Sequence, residues 1–112
     1  PLRNYHGPVR VILPTHRSSL RAGEALALKV MIISEEPVDE ASVCWRPLGT
    51  VEFATVPLSH VARGVYSTSL PGAASGRDFE YYVKVVPRRG RPVYYPPMAP
   101  SVNTTVVVCG AL

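Results

Sequence analysis

Two cysteines, three histidines, two methionines and a single tryptophan are few for a chain of 112 residues. Each scarcity removes a class of explanation. Two cysteines cannot make the dense disulfide framework of a small secreted scaffold, and no Cys-x-x-Cys pair suggests a zinc or redox site. The three histidines, His6, His16 and His60, share neither the helical spacing nor the strand spacing that aims two imidazoles at one ion, so they read as surface residues. No glycine-rich phosphate loop and no paired catalytic carboxylate motif is present. A nucleophile, base and orienting group must converge for catalysis, and the sequence offers no such set. The expectation is a non-enzyme with no cofactor and no metal.

Long apolar runs are also missing. The longest, Ala25 to Ile33, is interrupted by Lys29 and falls well short of the roughly 20 residues of a bilayer span, so no membrane insertion is expected. No charged-then-apolar signal segment opens the chain. Its start at Pro1 fits an excised domain or a processed fragment of a larger protein. Lysine is scarce too, with ten Arg and two Lys against eight acids for a net charge of +4. That charge is modest, and Arg3, Arg10, Arg17, Arg21, Arg46, Arg63 and Arg77 are scattered; only Arg88, Arg89 and Arg91 cluster. A specific nucleic-acid domain would gather its cations on one element, so none is expected.

What the chain does have is apolar residues, at 46%, interleaved with 12 prolines and 8 glycines along its whole length. That composition describes one folded, turn-rich domain. Alternation dominates every strong segment, and seven strands are predicted. The first is Pro8 to Leu13. The second, Glu24 to Ser34, puts Leu26, Leu28, Val30 and Ile32 on one face, and an acidic solvated loop from Glu35 to Glu40 follows. The third is Ala41 to Arg46, with Val43 and Trp45 inward, and the fourth is Thr50 to Val56. The fifth is Val65 to Leu70. The sixth, Asp78 to Val86, opposes Phe79, Tyr81, Val83 and Val85 to Glu80, Tyr82 and Lys84. An arginine hairpin returns through Val93, Tyr94 and Tyr95. Three prolines in five residues, from Pro96 to Pro100, then split an edge strand that resumes from Val102 to Cys109. Tyr81, Trp45, Leu28 and Val83 are expected in one core.

A short strand with inward Val43 and Trp45, a Gly64-x-Tyr66 strand ending in Leu70-Pro71, and the run Phe79 to Val85 follow one another in a familiar order. Over residues 24 to 108 the chain resembles immunoglobulin-like and fibronectin type III modules, including accessory domains of secreted glycoside hydrolases and cell-surface proteins. The resemblance implies an all-β, two-sheet antiparallel immunoglobulin-like sandwich, with Tyr81 closing the corner before the sixth strand. It also implies an extracellular or cell-surface location and a non-catalytic accessory role, packing against or positioning a neighbouring domain of the same polypeptide or a protein partner. The usual tryptophan of the second fibronectin strand is absent, and the immunoglobulin cysteine positions are unfilled.

The one cluster that suggests binding is the hairpin Arg88, Arg89 and Arg91 with Tyr94 and Tyr95. Guanidinium forks pair with sulfate, phosphate or carboxylate, and neighbouring rings stack on sugars, so a carbohydrate or polyanion is the alternative partner. A solvated hairpin with sheet-supporting tyrosines is the plainer reading of the same residues. Glu35, Glu36, Asp39 and Glu40 lack the spacing and central glycine of a calcium loop. Cys44 and Cys109 are expected as free thiols, because parallel third and seventh strands would place them toward opposite ends. Asn103-Thr104-Thr105 matches a glycosylation acceptor.

Overall fold

The computed structural model describes residues 9–14, 17–71 and 76–109. Ten strands run in the order β1 (Arg10–Ile12), β2 (Ser19–Arg21), β3 (Leu26–Ile33), β4 (Val38–Pro47), β5 (Ala54–Pro57), β6 (Ser59–Ala62), β7 (Val65–Leu70), β8 (Phe79–Pro87), β9 (Val93–Tyr95) and β10 (Thr104–Cys109). Among the described residues there is no helix. One sheet has the order β1-β3-β7-β6; the other runs β2-β10-β8-β4-β5, with β9 also paired to β8. The protein is an all-β, two-sheet sandwich, and among the described residues every pairing but that of β10 with β2 is antiparallel.

Period-two alternation dictates the core. Burial along β3 and β8 alternates strictly, so that Leu26, Leu28, Val30 and Ile32 face Phe79, Tyr81, Val83 and Val85 across the gap between sheets. Val43, Leu70, Val106 and Val108 fill the rest, and Leu20 from β2 closes one flank. Tyr81, Leu28 and Val83 are therefore core residues as predicted. Trp45 is only half-buried, lying edge-on against Phe79 with centroids 5.9 Å apart and planes at 77°.

Several sequence expectations need correcting. The acidic stretch is a loop only as far as Pro37, since Val38 to Glu40 already belong to β4 and pair with β8. The strand predicted over Thr50 to Val56 is confined to β5, because Arg46 donates to the carbonyl of Val51 at 2.8 Å and keeps that segment as a loop. Among the described residues ten strands replace the seven expected, partly because β2 and β6 are too short and polar to show alternation. The former is fixed by tertiary pairing with β10. It is followed by a turn in which Glu24 accepts from Arg17 at 2.6 Å and from the Arg21 amide at 3.0 Å; the Arg17 contact chiefly holds its carboxyl below the ordinary range.

The split edge strand is present: β9 pairs with the second half of β8 and β10 with the first, on the same side. Its β10 half is no longer an edge, because β2 covers it in parallel. Pro8, where the first strand was expected to begin, lies outside the described residues, as do Arg3, His6 and His16.

Both cysteines are free, as expected, but for a different reason. Since β4 begins at Val38, Cys44 sits in its second half, level with Tyr82, rather than near the opposite end. What separates the thiols is the intervening β8, at ~4.8 Å per strand spacing on each side, together with the extension of Cys109 beyond the level of Phe79. That exceeds the ~7 Å Cα limit for a disulfide.

Candidate functional site

The hairpin after β8 is built by Gly90, whose φ of +106° a side chain would disfavour, and by Pro87 and Pro92, which bound the turn. It sits at one end of the sandwich beside the β3–β4 loop. The two are joined by the Arg88 amide donating to the Pro37 carbonyl at 2.8 Å. Arg88 also reaches Asp39, with Nε to Oδ1 at 3.3 Å, so one of the three hairpin cations already has an acidic partner. Both groups are well exposed, and such a pair contributes little to stability.

Arg89 and Arg91 line a shallow cleft of about 300 Å³ with Val9, Ser34, Glu35, Glu36 and Val93. A second cleft of about 360 Å³ lies on the other side of the same loop, between Ile32, Glu36, Val38, Arg63 and Tyr66. Ser34 Oγ donates to the Glu36 carbonyl at 2.6 Å and accepts from the Glu36 amide at 3.2 Å, which fixes the loop between the two clefts. The cations predicted to meet an anion therefore face a wall that carries two carboxylates.

The two tyrosines part company. Tyr95 pairs with Val83 in register and turns inward to pack on the core, whereas Tyr94 pairs with Lys84 and turns outward. The sequence grouped them because they are adjacent; adjacency on a strand means opposite faces. Tyr94 instead joins an outward row with Tyr82 at 5.9 Å, and Tyr82 in turn meets Phe53 at 5.1 Å. Arg46 lies over the Phe53 ring at 4.1 Å and bonds Glu80 at 3.1 Å. Asn103 donates to Glu80 at 2.5 Å and to the Pro100 carbonyl at 2.9 Å. Sequence reasoning missed this row because Phe53 precedes a weak strand. The signal it held was the outward parity of Tyr82.

The remaining candidates are placed as follows. His60 stacks on Tyr66, 4.8 Å between centroids, on an exposed strand. The Asn103 amide nitrogen that glycosylation would use is occupied by the two hydrogen bonds above. Among the described residues no three His, Cys, Asp or Glu side chains gather where they could hold a metal ion. The Tyr81 hydroxyl, predicted to close a corner, is buried without a hydrogen-bond partner among the described residues. It lies on β8 between Trp45 and Thr104 in register, where the neighbouring strands spend their backbone groups on the ladder. Burial, aided by Tyr95, pushes its pKa to about 12. Tyr82 is also pushed to about 12, by desolvation first and by its contact with Cys44 second.

Compared with known proteins, the chain matches no family model and no curated sequence.

Proposed function

We propose that this domain is a non-catalytic accessory module, immunoglobulin-like in strand order, that holds a neighbouring domain in position within a larger extracellular or surface protein. The order β1-β3-β7-β6 over β2-β10-β8-β4-β5 supports the immunoglobulin-like reading, since it corresponds to one four-strand sheet facing the sheet that carries the sixth and seventh strands. Such a fold hosts many functions, so the role must rest on something else.

The observation that carries the role is the path of the chain. The first strand starts beside the arginine hairpin, where Arg10 pairs with Ile33 and Val9 lines the cleft. The last strand leaves at the other end, where Val108 bonds Asp78 and the Ala22 amide bonds the Cys109 carbonyl. A segment entering at one end and leaving at the other separates its neighbours by the length of the sandwich. A hairpin-like path would instead set them side by side.

Small-angle scattering of the parent polypeptide tests this, comparing the protein with one in which residues 9–109 are replaced by a short Gly-Ser linker. The expected result is a clear shortening of the maximum dimension with the flanking domains unchanged. Equal dimensions in the two would overturn the spacer role.

A second reading, a polyanion site at the hairpin, is favoured by the exposure of Arg89 and Arg91. Replacing Arg88, Arg89 and Arg91 together with Ser is then expected to weaken retention on heparin and to flatten its salt dependence, leaving thermal stability as it was. Unchanged retention and slope would remove it.

A further inference from the structure

The two outward faces of this sandwich are chemically unlike. On the four-stranded sheet, β3 and β7 turn Ala27, Lys29, Met31, Ser67 and Ser69 outward, with no aromatic ring among them. On the other, Phe53 from the loop before β5, Tyr82 of β8 and Tyr94 of β9 form a row of successive ring contacts. Between Phe53 and Tyr82, β4 turns the small, buried side chains of Ser42 and Cys44 to this face, with Arg46 next along the strand. A larger residue at either position would fill the space over which the rings lean.

Covering one thiol does not require three rings, nor does it require hydrogen-bonding groups beside them. Yet Arg46, Glu80 and Asn103 form a connected polar chain along one side of the row, and Lys84 stands level with Tyr94 at its end. Rings offer apolar faces and edges to the C–H groups of a sugar, while carboxylate and guanidinium groups pair with its hydroxyls; Asn103, its amide nitrogen already engaged, holds the Glu80 carboxylate in place. The Arg46–Glu80 ion pair cancels charge along that side of the row, so an acidic polymer gains little there. Successive ring planes turn by 76° and 63°, giving a corrugated surface. Corrugation suits one flexible chain whose sugars rotate along its length, and a flat crystalline polymer would touch it poorly.

We propose that the outward aromatic strip Phe53–Tyr82–Tyr94, with Arg46 and Glu80 beside it, binds a single chain of a neutral polysaccharide. The site is distinct from the arginine hairpin and does not depend on the spacer role.

Native gel electrophoresis through soluble hydroxyethyl cellulose, xyloglucan, arabinoxylan, galactomannan and mixed-linkage glucan tests it, with heparin as the acidic comparison. At least one neutral polymer is expected to retard the protein. Phe53→Ala and Tyr94→Ala should each weaken that binding about tenfold, while Tyr94→Phe, which keeps the ring, should retain most of it. Both alanine sites are half-buried outside the central core, and unchanged melting temperatures would confirm that the fold is kept. Replacing Arg88, Arg89 and Arg91 with Ser should leave the retardation unaltered. No retardation by any neutral polymer overturns the proposal, as does retardation that both alanine variants preserve. Retardation by heparin alone, lost in the triple arginine variant, would transfer ligand binding to the hairpin.

Discussion

Phe79→Ala is expected to lower the unfolding free energy by about 3–5 kcal/mol, the range for deleting a fully buried aromatic side chain. Phe79 is completely buried, opens β8, and is held on two sides by Pro47 of β4 and Val106 of β10 in register. Three elements meet at this ring, so the space left by its removal cannot close without breaking a ladder. Trp45→Ala removes a larger side chain but should cost less, below about 3 kcal/mol, because Trp45 is half-buried and already in part hydrated. Urea unfolding of the two variants ranks them. A Trp45 variant less stable than the Phe79 variant would show that the packing between them is misplaced.

Tyr81 yields the second large effect, in both directions. Truncation to Ala should cost about 3–5 kcal/mol, because its ring is completely buried at the centre of the core. Tyr81→Phe removes only the hydroxyl, whose burial without a partner carries a penalty on the order of 1–3 kcal/mol, so this variant is expected to be more stable than the parent. The same group makes stability depend on alkaline pH. Its folded pKa of about 12 lies above the ordinary tyrosine value of 10, so the folded state holds its proton more tightly than the unfolded one. Stability from this group is thus complete below pH 10 and falls as pH rises from there toward 12. Tyr81→Phe should flatten that decline in denaturant melts between pH 9 and 11.5. A parent-like slope would show that the Tyr81 pKa is not raised by folding, and a loss of stability in the Phe variant would mean that the hydroxyl is hydrogen-bonded in solution.

Strand β8 shows how far one-dimensional information reaches. Its alternation of Phe79, Tyr81, Val83 and Val85 with Glu80, Tyr82 and Lys84 states both that it is a strand and which side is buried, because a period of two admits no other helical or loop reading over nine residues. The same holds for β3, and together these strands carry the two facing halves of the core. Pro96 to Pro100 likewise announce the break between β9 and β10, since a residue without an amide hydrogen cannot donate to the ladder.

Other elements exist only because of their neighbours. Ser19 to Arg21 carry no pattern of their own; they are a strand because β10 offers them an unpaired edge and because Leu20 finds a core to enter. Trp45 has the inward parity of Val43, yet lies nearer the margin of the sandwich, where parity fixes direction but not depth.

Within the candidate sites, the chain itself determined the cluster of arginines, the outward direction of Tyr82 and the scarcity of metal-binding and catalytic groups, because residue type and a two-residue period are local properties. Tertiary structure alone decided their partners. It set Asp39 against Arg88 across 49 residues of chain, brought Glu35 and Glu36 to the cleft of Arg89 and Arg91, and aligned Phe53 from a loop with Tyr82 and Tyr94 from two strands into one row. The physical reason is register. A one-residue slip between β8 and β9 would bury Tyr94 and expose Tyr95, and that choice is made by the fit of Tyr95 against the core opposite Val83, which no local pattern encodes.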